Sequence, residues 1–272
     1  MSFSLADVTR VAHNLWPLGG AEAWDAPGLV SGDPARPICS IHLAVDAVAD
    51  TVNEAIAAGA DLLLTHHPLL LRGVTSIAED SYKGALLSRL IRADCALLAA
   101  HTNADVVADG VSDVIATRLG LIDALPITSG AVPGTGIGRI GRLPKPTTLG
   151  HLAHTMLALL PATASGVRVA GDYAAPITTV ALCGGAGDSL LRNPQVLAAD
   201  VYITSDLRHH PAQEAREQAL CVGGPALIDV SHWASEWLWL EPAAVQLRAD
   251  LPGVSVTVSE LNTDPWDFAV VH

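Results

Sequence analysis

Histidines and carboxylates stand in four short clusters, each just after a short apolar run. Thr65-His66-His67-Pro68 follows the run DLLL, and two adjacent imidazoles at a strand exit can both face one cleft and bind cations; the alternative is a pair of exposed loop histidines. Pro68 cannot continue a strand and stiffens the turn. His101-Thr102-Asn103-Ala104-Asp105 follows CALLAA. The Asp105 carboxylate can bridge two cations about 3.5–4 Å apart, which a lone imidazole cannot. His101 and Asn103 can orient ligands or contact substrate; alternatively the stretch is an Asx-type helix cap. His232-Trp233-Ala234-Ser235-Glu236 follows ALIDV, with Ser231 as a helix N-cap. On a helix His232 and Glu236 share one face, and a plain surface pair would have the same spacing.

Together, three strand ends supply three imidazoles (His66, His67, His232) and two carboxylates (Asp105, Glu236). That set suffices for two divalent cations, with positions left for water or substrate. Nitrogen and oxygen donors exclude a thiolate-type structural site and suit Zn²⁺, Mn²⁺, Fe²⁺, Co²⁺ or Ni²⁺ without choosing among them. In the fourth cluster, Thr204-Ser205-Asp206-Leu207-Arg208-His209-His210, the residues Asp206, His209 and His210 are candidate proton carriers or substrate binders, and Arg208 can hold a phosphate. The alternative is a helix N-terminus capped by Asp206. CGGAGDS lacks both the GxxxxGK[ST] lysine and the GxGxxG spacing, and reads as a tight turn. Trp24-Asp25 lies in an early loop, where it either covers a pocket or packs the first helix.

The elements that position these groups alternate. Ser4 and Asp7 form a capping box that opens a helix through Leu15, which breaks at Pro17. Strands are expected near Ile38–Val45, at DLLLT and at CALLAA, with helices near Val48–Ala58, Tyr82–Ala93 and Val111–Leu119. Short all-apolar strands separated by helices predict a parallel sheet covered on both faces, with ligands beyond the carboxyl ends of the strands. The Gly/Pro-rich stretch from Pro126 to Pro146 reads as a linker followed by a strand around Gly138–Leu143. A second unit then carries a helix near Leu149–Leu160 and strands at Val167–Ala170, TTVALCG, DVYIT and ALIDV, with a helix from about His210 to Ala219. A last apolar helix runs from His232 to about Leu247, and SVTVS and DFAVV close the chain as strands.

With 272 residues, 50% of them hydrophobic and only 16% charged, the chain can bury a large core as one big α/β unit or two domains. A formal charge of −13 opposes binding to nucleic acid or to an anionic membrane surface. Cys39, Cys95, Cys183 and Cys221 form no CxxC and read as buried small hydrophobes, not disulfides or zinc ligands. MSFSLADVTR lacks a signal-peptide pattern, and no apolar run is long enough to span a bilayer, so the cytoplasm is the expected compartment.

The runs THHPLLLRG, HTNAD, SDLRHH and SHWASE, in this order and spacing, resemble the Nif-three-like proteins, often labelled GTP cyclohydrolase I type-2 homologues. AEAWDAPGLVSGD resembles that family's WDN-x-GL loop. The resemblance spans nearly the whole chain. It implies a two-domain α/β fold, each domain a mostly parallel or mixed sheet covered by helices: residues 1–128 plus 231–272 as a metal-binding domain and 129–230 inserted as a second. It also implies two metal ions per subunit on His66, His67, Asp105, His232 and Glu236, and a homohexameric toroid. His101, His209 and His210 match other polar positions of the family's pocket and are the expected catalytic group, with Asn103, Arg208 and Trp24 as substrate contacts. Ala26-Pro27 replaces an Asn-containing step, Ser205 stands where Gly is common and Leu71 where an aromatic is common; none touches the five ligands. The expected activity is metal-dependent hydrolysis of a nucleotide, such as GTP opened at its purine ring, or of a phosphoester. The alternative is a non-catalytic, ring-shaped metal-binding regulatory or interaction protein.

Overall fold

The computed structural model describes residues 2–270. They form two compact α/β units, residues 2–104 with 239–263 and residues 105–238 with 264–270.

The first unit is built on a five-stranded sheet in the order Ser255–Val258, Ser40–Ala44, Leu62–Thr65, Ala96–Ala99, Gly28–Ser31. The first four strands run parallel, and Gly28–Ser31 is antiparallel to its neighbour. Every residue of Leu62–Thr65 and Ala96–Ala99 is buried, as their unbroken apolar sequence requires of strands covered on both faces. Helices Ala49–Ala57 and Tyr82–Arg92 place Val52, Ala55, Leu86 and Leu90 against Leu63 and Leu97. Helix Leu5–Leu15 buries Leu5, Val8 and Ala12, one helical stripe. Its capping box is present: Asp7 N–H donates to Ser4 Oγ (3.2 Å) and Ser4 N–H to the Asp7 carboxylate (3.0 Å).

The second unit has a six-stranded mixed sheet, ordered Arg168–Ala170, Ala226–Val230, Val201–Ser205, Pro176–Ala186, Arg139–Thr148, Ile122–Leu125. Its three middle-to-edge strands Pro176–Ala186, Val201–Ser205 and Ala226–Val230 are parallel to one another, and the other pairings are antiparallel. Helix Val111–Arg118 covers this sheet, where Gly184 N–H donates to Ser112 Oγ (3.1 Å). Ile122–Leu125 pairs onto Arg139–Thr148, and the chain passes from the first unit to the second between Ala104 and Asp105. It returns after Leu238, inside helix His232–Asp250. The Gly/Pro-rich stretch lies inside the second unit, where Thr128–Ser129 and Gly136–Ile137 pair as a small hairpin. DFAVV is not a strand over residues 267–270, and Val271 lies outside the described residues. Pro265 cannot donate to a ladder, and Trp266 N–H instead turns back to Asp264 Oδ1 (3.1 Å). All four cysteines are free thiols; Cys95 and Cys183 are buried as expected, whereas Cys39 and Cys221 are exposed.

Arg139 is 2% exposed and holds the start of its strand together. Its guanidinium donates to Asp113 Oδ1 (2.7 Å) and to the carbonyls of Gly136 (2.8 Å), Gly138 (2.8 Å) and Val107 (3.1 Å). Methionine matches the stem but removes all four of these hydrogen bonds. Arg139→Met is therefore expected to lower unfolding stability by about 2–4 kcal/mol in urea melts, with Arg139→Lys recovering only part.

Candidate metal centre

In the first unit the carboxyl ends of neighbouring parallel strands deliver His66 and His67 from one strand and His101 from the next. The backbone ladder continues past the strand, with His66 N–H bonded to Ala44 O (3.1 Å) and His67 N–H to Val45 O (2.9 Å), so both histidines are fixed at the main chain. The three rings lie with centroids 5.2–5.4 Å apart, and the three residues offer ligand nitrogens all within 4.8 Å of one another.

Each ring is turned by an acceptor at Nδ1. His66 Nδ1 meets Ala100 O (2.8 Å), His67 Nδ1 meets Asp46 Oδ1 (2.7 Å) and His101 Nδ1 meets Asp25 Oδ1 (2.8 Å). Carbonyl and carboxylate oxygens only accept, so Nδ1 carries a proton in each ring, and in a neutral ring the lone pair then sits on Nε2. Backing an imidazole with a carboxylate or carbonyl in this way is how metal-binding histidines are oriented and made more basic. Asp46 is held in turn by Thr263 Oγ1 (2.5 Å), and the Asp25 side chain is fully shielded from solvent. Burial, together with the neighbouring His66, pushes His101 down to about 4 despite the Asp25 carboxylate, which leaves a neutral, electron-donating ring at neutral pH.

In the second unit Ser231 caps helix His232–Asp250, accepting the Ala234 N–H (3.2 Å). One turn of this helix sets His232 Nε2 2.9 Å from Glu236 Oε1, and Asp206 Oδ2 lies 2.7 Å from His232 Nδ1. Burial disfavours the charged ring, but Glu236 and Asp206 outweigh it and push His232 up to about 11. A positive charge is thus strongly favoured between these carboxylates, which suits a cation. The glycines near the end of strand Pro176–Ala186 supply the clearance. Gly185 has φ +67° and lies so close that a Cβ there would sit 2.6 Å from Glu236 Oε1 and 3.4 Å from His232 Nε2. Asp105 ends the one-turn helix Thr102–Asp105 and is half-buried; burial first, then its negative charge, pushes the Cys183 thiol up to about 12.

The remaining candidates have the following surroundings. Asn103 is buried with its amide engaged inside the fold, accepting His101 N–H (2.9 Å) and donating to Trp16 O (2.7 Å). His209 and His210 are exposed at the start of helix His209–Val222 and pack on each other at 5.2 Å. Arg208 pairs with Asp188 (2.7 Å) on the wall of a groove of about 1120 Å³ along that helix, where Arg192 pairs with Glu214 (3.2 Å). Both arginines there are paired with carboxylates. Trp24 lies edge to face with His101, centroids 5.8 Å apart. Sequence reasoning missed Asp46, although it stands just past the neighbouring parallel strand Ser40–Ala44, where site residues of such sheets gather. It also left the roles of Asp25 and Asp206 open, and each backs a histidine.

The family model for Duf34/NIF3 (NGG1p interacting factor 3) matches residues 3–265. The chain belongs to this family. A Streptomyces coelicolor relative called "GTP cyclohydrolase 1 type 2 homolog" is 45% identical over 269 residues, 96% of this chain and 93% of its own length. A Mycobacterium bovis relative of the same name is 36% identical, covering 98% of each chain. A NIF3-related protein of Bacillus cereus superposes with a TM-score of 0.89 at 22% identity, over 98% of this chain and 99% of its own. A hypothetical protein of Staphylococcus aureus does so with a TM-score of 0.88 at 27% identity, over 99% and 100%.

Asp25→Asn and Asp46→Asn keep the size of the side chain but weaken the hold on Nδ1. Each is expected to lower zinc affinity about 10–100-fold in chelator competition, with an unchanged circular dichroism spectrum. Gly185→Ala is expected to lower zinc retention as well, because its methyl group would displace the Glu236 carboxylate.

Proposed function

We propose that this chain is a metal-dependent hydrolase that acts on a nucleotide or a phosphoester. His66, His67, Asp105, His232 and Glu236 hold two divalent cations, and His101 completes the imidazole group. The observation that carries the reading is the common orientation of His66, His67 and His101, each ring turned by an acceptor at Nδ1, with ligand atoms of the three residues all within 4.8 Å of one another. Bound cations of this kind act as Lewis acids and make water a nucleophile at neutral pH. Asp25 and Asp46 hold the rings and disperse the charge gained on binding. His209, His210 and Arg208 contact substrate or carry protons from the start of their helix. The names of the relatives favour a purine nucleotide as the first substrate to try. Free thiols fit a reducing cytoplasm, and among the described residues no helix is long and apolar enough to cross a membrane.

A second reading, a non-catalytic metal-binding protein that self-associates as a homohexamer, is favoured by exposed apolar side chains. Trp266, Phe268 and Val270 are 67%, 80% and 87% exposed, at alternate positions of the last described segment.

The two readings separate on turnover. Protein loaded with zinc or manganese is expected to hydrolyse GTP or a generic phosphodiester, and His67→Ala to lose that activity. Equal rates in the two proteins would leave only the non-catalytic reading, which light scattering would then test.

A further inference from the structure

Trp24 is 60% exposed, whereas Trp16, Trp233 and Trp239 are buried. An indole left so open to water is normally on a loop free to fold it away. Here it is not. Trp24 lies in a turn closed by Asp25 N–H to Glu22 O (3.0 Å). Both ends of that turn are fastened to one residue: Glu22 N–H donates to Thr102 Oγ1 (2.9 Å), while Thr102 N–H (3.0 Å) and its hydroxyl donate to Asp25 Oδ2. The other oxygen of the same carboxylate holds His101. One buried carboxylate therefore sets both an imidazole of the candidate metal group and an adjacent open aromatic face.

We infer that Trp24 is a stacking platform for a flat heteroaromatic ring of the ligand, placed so that the ligand's polar end reaches the His66, His67 and His101 group. Only the destination of the polar end rests on the proposed metal site; the stacking does not. A planar ring shields the indole face from water without moving the turn, and base–aromatic stacking is tolerant of which base is bound. Ala26-Pro27 directly after the turn adds a rigid φ that further restrains it.

The test uses the zinc-loaded full chain with guanosine monophosphate and ribose 5-phosphate, which differ by the base. Wild-type protein is expected to bind the nucleotide more tightly. Trp24→Ala is expected to weaken nucleotide binding by about tenfold or more, leaving ribose 5-phosphate affinity and zinc content unchanged. Trp24→Phe is expected to keep most of the affinity but lose most of the quenching of tryptophan emission on binding. Unchanged nucleotide affinity in Trp24→Ala, or equal weakening of both ligands, would overturn the proposal. Failure of the hydrolase reading would show separately, as binding of this pattern without turnover.

Discussion

A neutral imidazole has one proton and one lone pair on its ring nitrogens, so whatever fixes the proton also aims the lone pair. In the first unit that constraint is applied three times, by Ala100 O, Asp46 and Asp25, to rings whose main chains are already locked at the ends of parallel strands. The sheet determines where the rings stand, and the Nδ1 acceptors determine which way they donate. Neither alone would make a metal site. The depressed basicity of His101 follows first from its burial and then from the neighbouring His66 ring, because crowded, buried rings resist taking on charge.

The second unit meets the opposite demand with the opposite means. His232 is flanked by carboxylates at both nitrogens, so positive charge is stabilised there. Asp206 reaches His232 from a residue at φ +58°, a backbone conformation that aspartate tolerates better than most residues. Gly185, also at positive φ, makes room on the other side. The helix start that carries His232 and Glu236 thus depends on two backbone positions that are unfavourable for ordinary residues.

Much of this was legible in the sequence. Short all-apolar runs marked the buried strands, and polar clusters directly after them marked the site, because side chains at strand ends escape the requirement to be apolar. The alternation of elements predicted the α/β class, and the family resemblance implied a mostly parallel or mixed sheet in each domain, as both sheets are. What was illegible required the third dimension. Asp46 follows its strand like the others but has no histidine beside it to draw notice. The Gly/Pro-rich stretch looked like a domain boundary because hairpins and linkers share a composition, whereas strand pairing shows it to lie within the second unit. Nothing in the pattern around Arg139 signals that its charge is buried, since the acceptors that make burial tolerable are mostly backbone carbonyls.

Helix His209–Val222 has no buried residue along its whole length, and grooves run along it. Its neighbour Val201–Ser205 is buried at every position. Helices draw most of their stability from packing an apolar face, so the two elements have very different resistance to local opening. Amide hydrogens of the helix will exchange with solvent through brief fraying, while those of the strand must await rupture of the whole unit. The segment that carries Arg208, His209 and His210 is therefore softer than the strand beside it, and its side chains can shift without disturbing the sheet.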